Sequence, residues 1–311
     1  MDETVTNREP AEKTPAERTP WSGIAFAVGS YVLWGFLPIL FYTLRASNPV
    51  EIVSWRITLS VAFCALLITV TRGWPRLMAI LGDRRTVLTL GLAGGLILIN
   101  WLVYVYASTT GQVVEASLGY FTNPIVTVLL AVIVLRERLR PLQWVAISLS
   151  AVAVAIISIG YGSFPWIALS LAFSFGLYGL VKKRVGPKAD AVSGLAIETA
   201  ILAPAALVAF GVIAATSGLT IGAYGPGYTA VMLSLGVATA VPLILFAAAA
   251  RRLPLTHIGL IQYFAPILQL IVGAVILGEA MTPARWLGFA VVWTALAILM
   301  VDVLRHQRRS R

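Results

Sequence analysis

Two ionisable residues, Arg56 and Glu198, stand inside long apolar runs. A charge near the centre of a bilayer costs about 2.5–3.5 kcal/mol on insertion scales, so it persists where it is paired, wetted or used. Arg56 has two readings: a side chain that snorkels to the headgroups, or a cation facing a central polar cavity. Glu198 is too short to snorkel well. It reads as a cavity-facing carboxylate able to exchange a proton, or as the acceptor of a structural hydrogen bond from a neighbouring hydroxyl. At about 1.5 Å of rise per residue, Arg56 lies roughly 8 Å from one face and Glu198 roughly 10 Å from the other. In a core about 30 Å thick that leaves about 12 Å between them along the normal, too far for a direct ion pair. Asn100, Tyr120, Asn123 and Gln262 are uncharged hydrogen-bonding groups at similar depth. They can bind a solute or tie helices together. Pro124 and Pro266 each remove a backbone hydrogen bond, so a helix kink that exposes carbonyls is expected at both.

Other chemistries lack their residues. Cys64 is the single cysteine, which excludes an internal disulfide, and His257 and His306 are the only histidines, far apart in the sequence. No metal site, resident cofactor or Gly-x-x-x-x-Gly-Lys phosphate loop is therefore expected. Glu115 and His257 read as polar residues at helix starts, Glu137 and Glu279 as interface anchors, and Gly91-x-x-x-Gly95 as a packing face.

The elements that hold these residues follow from composition. Of 311 residues, 59% are apolar and 12% charged; a soluble domain averages about 45–50% and about 25%. That excludes a soluble enzyme, a disordered chain and a nucleic-acid binder, and leaves an all-α integral membrane protein. Residues 1–20 form a polar, proline-bearing tail without the apolar core of a signal peptide, so the first apolar run is expected to be a retained span. Ten apolar stretches are long enough to cross a bilayer: 21–44, 51–71, 87–107, 114–135, 142–160, 165–182, 191–214, 228–250, 256–277 and 285–304. Alternate connections hold the basic residues. Arg8, Lys13, Arg18, Arg72, Arg76, Arg84, Arg85, Arg136, Arg138, Arg140, Lys182, Lys183, Arg184, Lys188, Arg251, Arg252, Arg305, Arg308, Arg309 and Arg311 share one side; Arg45 and Arg285 share the other. The net charge of +10 thus reads as an address, with both termini and the basic 306–311 end cytoplasmic.

The two halves, 21–160 and 165–305, also resemble each other. A displacement of 142 positions sets Gly94 on Gly236, Pro124 on Pro266, Glu137 on Glu279, Pro141 on Pro283 and Trp144 on Trp286; one of 144 sets Ser30, Trp34 and Gly35 on Ser174, Tyr178 and Gly179. The matched pair Trp34 and Tyr178 points to cavity lining. Five spans per half is an odd number, so the second half is expected to enter the membrane inverted, the symmetry suited to alternating access.

Several strings carry a family likeness: Tyr31-x-x-Trp34-Gly35-x-x-Pro38, Glu51-Ile52 with Arg56, Asn100-Trp101, Glu115-Ala-Ser-Leu-Gly-Tyr-Phe-x-Asn123-Pro124, Leu171-Ala-Phe-Ser-Phe-x-x-Tyr178-Gly179, Ile197-Glu198-Thr199, Val241-Pro242-Leu243 and Gln262-Tyr263-x-x-Pro266. Over roughly residues 21–305 the chain resembles the RarD branch of the EamA family in the drug/metabolite transporter superfamily. The resemblance implies ten transmembrane helices in two inverted five-helix repeats and a secondary transporter of the bacterial inner membrane, more often an exporter. Its partners would be a small-molecule solute and the lipid bilayer, with protons as a candidate coupling ion through Glu198; a homodimer is left open. The long N-terminal tail and His257, where a small hydroxyl residue is expected, depart from the pattern. The competing reading is a membrane enzyme or regulatory protein on the same bundle.

Overall fold

The computed structural model describes residues 21–135, 140–161, 164–250, 252–253, 258 and 260–309; the tail, Glu137 and His257 lie outside them. Among the described residues the regular structure is entirely helical. Each expected apolar stretch falls on a helix: α1 (Trp21–Thr43), α2 (Pro49–Val70), α4 (Arg84–Thr109), α5 (Val113–Leu135), α6 (Pro141–Tyr161), α7 (Trp166–Val185), α8 (Ala191–Thr216), the pair α9 (Gly225–Leu233) and α10 (Leu235–Ala250), α11 (Phe264–Ile271), and α12 (Pro283–Arg309). A short α3 (Trp74–Gly82) comes between α2 and α4. Helices satisfy every backbone group internally, which is what a bilayer demands.

Eight of these segments are long and apolar enough to cross a membrane, with α9 and α10 counted as one. The long helices are apolar on all sides rather than along one stripe, and Leu88, Ile159 and Val275 are 75%, 83% and 75% exposed. Such a belt of bare apolar side chains belongs against lipid tails. Of the other two, α7 ends in Lys182, Lys183 and Arg184. The described part of the ninth stretch is short, with α11 passing into one π turn at Val272–Ile276 and stopping at Gly278, whose φ is +70°.

The principal packed pairs are α1 with α10 and α11, α7 with α4 and α5, α2 with α8 and α10, α4 with α8, α5 with α11, and α6 with α12. Replacing each first-half helix by its second-half counterpart returns the same set. Glycines permit the closest crossings. A Cβ on Gly119 would lie 2.6 Å from the Ala168 carbonyl, and one on Gly236 2.8 Å from that of Leu59. One pair of hydrogen bonds repeats the exchange. Ser30 Oγ donates to the Pro242 carbonyl at 2.8 Å, and Asn100 Nδ2 donates to Ser174 Oγ at 3.1 Å. These four residues are counterparts under the displacements read from the sequence.

Several basic residues that read as topology signals also have acidic partners. Arg140 meets Asp302 at 2.9 Å, Lys188 meets Asp83 at 3.2 Å and Arg76 meets Asp190 at 3.8 Å. Asp83 caps α4 by accepting from the Arg85 and Thr86 amides. Its hydrogen bonds from Thr86 and Lys188 hold its carboxyl down at about 2.

Candidate functional site

Arg56 sits on α2 and is only 5% exposed. Its Nε donates to Thr239 Oγ1 on α10 at 2.9 Å, and its guanidinium carbon lies 4.1 Å from the Trp101 ring centroid and 5.6 Å from that of Phe41. Nη1 is buried and has no acceptor. No carboxylate among the described residues bonds to the group. The Tyr104 hydroxyl is also buried without a partner. The Tyr104 ring stands edge-on to Phe41 at 5.9 Å and to Tyr120 at 5.5 Å. At Tyr120 a hydrogen-bond chain begins: its hydroxyl donates to Asn100 Oδ1 at 3.0 Å, while Asn100 Nδ2 donates to Ser174 Oγ and to the Leu171 carbonyl at 3.3 Å. One cluster therefore joins α2, α4, α5, α7 and α10, drawn from both halves.

A second buried charge lies at the other end of an aromatic path. The Tyr120 ring is 6.0 Å from Phe175, which is 6.0 Å from Tyr178. The Tyr178 hydroxyl donates to Glu198 Oε2 at 3.2 Å, and Lys182 Nζ donates to Glu198 Oε1 at 2.6 Å. Glu198 is 1% exposed. The hydroxyl partner was one of the two sequence readings of Glu198; the ammonium partner was missed, because Lys182 reads as one of a run of cytoplasmic cations. Gly194, one turn before Glu198, makes room for it: a Cβ there would stand 2.9 Å from Nζ. No ion pair joins Arg56 to Glu198, in keeping with their expected separation.

The remaining candidates are dispersed. Trp34 packs with Tyr31 at 5.4 Å and Phe246 at 5.9 Å, and no hydrogen bond or ring contact ties this group to Arg56. Asn123 is half-buried, and its Oδ1 faces Gly176 without a donor. Gln262 is half-buried in the turn that leads into α11. Pro266 stands in the first turn of α11, where a missing N–H is tolerated, and Pro124 lies inside α5.

Three carboxylates at the opposite end from the basic residues bridge the halves. Glu279 accepts from the Val113 and Val114 amides at 2.6 and 2.9 Å, which places a carboxylate on the N-terminus of α5. Glu115 Oε1 accepts from the Ile167 amide of α7 at 3.1 Å, and Glu51 Oε1 from the Thr220 amide at 2.8 Å. Burial pushes the Glu279 carboxyl up to about 7 against the pull of these amides, and neighbouring Glu115 adds to the rise. The sequence marks Glu115 and Glu279 as interface residues; their partners lie 52 and 166 positions away and leave no local signal.

The helical bundle, with its apolar exterior and buried charges, is that of an integral membrane protein. The EamA-like transporter family model matches residues 21–159 and 164–301. The chain is 43% identical over 296 residues to Protein RarD of Streptomyces exfoliatus, covering 95% of this chain and 93% of that one. It is 35% identical to Protein RarD of Escherichia coli, over 93% and 97% of the two chains, and 36% identical to an uncharacterized transporter of Vibrio cholerae, over 96% and 98%. A crystal structure that shares 17% identity aligns with a TM-score of 0.54 over 91% of this chain and 99% of its own, a likeness of fold. The chain belongs to the EamA-like transporter family, in its RarD branch.

Proposed function

We propose that the protein is a secondary transporter that exports a small organic solute across the bacterial inner membrane by alternating access. Its ten helices form two inverted five-helix repeats, with both termini in the cytoplasm. The observation that carries this reading is a chain of buried polar groups and rings set inside an otherwise apolar bundle and built from helices of both halves: Arg56 bonded to Thr239 and packed on Phe41, the Tyr104 ring between Phe41 and Tyr120, and Tyr120 bonded to Asn100, which bonds to Ser174. A relative shift of the halves has to rearrange that chain, so a solute bound there is handed from one face to the other. The exchange of packed pairs between the halves supports the inverted repeat.

Glu198 is the candidate for proton coupling. To take a proton it has to release Lys182, and a solute or a shift of α7 against α8 would supply that release. A potential of 100 mV is worth about 2.3 kcal/mol per charge, which sustains a gradient of roughly forty-fold per proton.

The test is reconstitution of the full chain in proteoliposomes offered a cytosolic small-molecule extract. The expected result is time-dependent accumulation of at least one organic solute, absent from protein-free vesicles. No accumulation at any imposed gradient overturns transport; accumulation that ignores a pH gradient overturns coupling.

A further inference from the structure

We infer that Arg56 and Tyr104 form an oxyanion subsite, and that the transported solute carries a carboxylate that docks there. The proposal rests on the transporter reading for the word transported, but its structural basis is separate. A guanidinium offers only donors and keeps its charge at neutral pH. Its π face is covered by Trp101 and its Nε edge is taken by Thr239. The Nη1 edge has no acceptor although the side chain is nine-tenths buried. Cation–π contact compensates the face of the group and does nothing for N–H bonds lying in its plane. A second donor, the Tyr104 hydroxyl, is buried without an acceptor, and its ring packs on Phe41, the same ring that the guanidinium meets.

Among the described residues no carboxylate bonds to Arg56: Glu198 accepts from Lys182 and Tyr178, and Glu51 Oε1 accepts from Thr220 while its Oε2 is buried without a donor. What the enclosure lacks is a negatively charged group with two acceptor oxygens in one plane. A carboxylate meets both demands, one oxygen accepting a hydrogen bond from Nη1 and the other from the tyrosine hydroxyl, and charge-assisted bonds of this kind are about twice as strong as neutral ones. A neutral amide of the same shape would replace one acceptor by a donor and leave the cation unbalanced.

The probe is benzoate, with benzamide as its neutral counterpart, added to the purified full chain in detergent while thermal unfolding is followed. A ligand that binds the native state raises the unfolding midpoint by mass action. Benzoate is expected to raise it and benzamide to leave it unchanged. Arg56→Gln is expected to weaken benzoate binding at least ten-fold while folding with an unliganded midpoint no lower than wild type, because it removes an unpaired buried charge. Tyr104→Phe, which keeps the aromatic packing, is expected to weaken binding several-fold and serves if Arg56→Gln does not fold. A benzoate shift that is absent, equal to that of benzamide, reproduced by chloride alone, or unchanged in the variants overturns the subsite. Benzoate bound at Arg56 with no flux in proteoliposomes leaves the subsite standing and defeats transport; flux of a neutral solute with no benzoate binding does the reverse.

Discussion

Lys182 and Glu198 have to be considered together. A buried ion pair contributes little net stability against an apolar pair of the same volume, yet removing one partner strands a charge. Lys182→Met should therefore lower stability by about 3–5 kcal/mol, and adding Glu198→Gln should restore most of the loss. Thermal unfolding of the single and double variants checks this; additive losses would mean that the two groups act independently. Glu198 was legible in the sequence because a carboxylate inside an apolar run is expensive wherever it sits. Lys182 was not, since a cation at a helix end looks the same whether it faces headgroups or turns inward. The orphaned Nη1 of Arg56 was likewise beyond reach, because the sequence fixes depth and leaves open which rings and hydroxyls surround a side chain.

Most of the long helices were legible to within a few residues, because runs of about twenty apolar residues have one stable form in a bilayer. The elements that escaped are those whose form depends on neighbours. The connection after α2 holds α3, whose Trp74, Leu77 and Leu81 line an apolar cleft of about 340 Å³ with α2 and α8. The stretch at 228–250 divides at Ser234, and the ninth stretch ends in a π turn where Gly273 meets Val114. Beside that turn, Glu279 gives the connection to α12 a pH dependence. An unfolded chain returns its carboxyl to the ordinary value of 4.5, whereas the folded protein holds it at about 7. Between these values the native state keeps a proton that the unfolded state releases, so stability falls as pH rises through the window. At 1.36 kcal/mol per unit, reduced by solvent screening, the loss is about 1–2 kcal/mol. Wild type should lose midpoint relative to Glu279→Gln between pH 5 and pH 8, and parallel curves would show that Glu279 titrates normally.

For the whole molecule the arrangement of basic residues and the internal repeat carried most of the information. Counting cations by connection led to an expected orientation, and matching prolines, glycines and serines at fixed displacements paired the helices of one half with those of the other. The orientation is tested by cysteine accessibility in a Cys64→Ser background. Ser217 and Arg184 are exposed and lie at opposite ends of α8 and α7. A membrane-impermeant maleimide should label Ser217→Cys in intact cells and Arg184→Cys only after permeabilisation; the opposite pattern inverts the topology.

Among the described residues Arg56 has no counter-ion, and this has an electrical consequence. Glu198 and Lys182 cancel each other wherever they travel together, so the buried polar chain carries one uncompensated positive charge. Moving that charge through part of a 100 mV potential changes the energy by up to about 2.3 kcal/mol. The balance between inward- and outward-open arrangements should then answer to voltage when the carrier is empty, and lose that sensitivity once a monoanion is aboard.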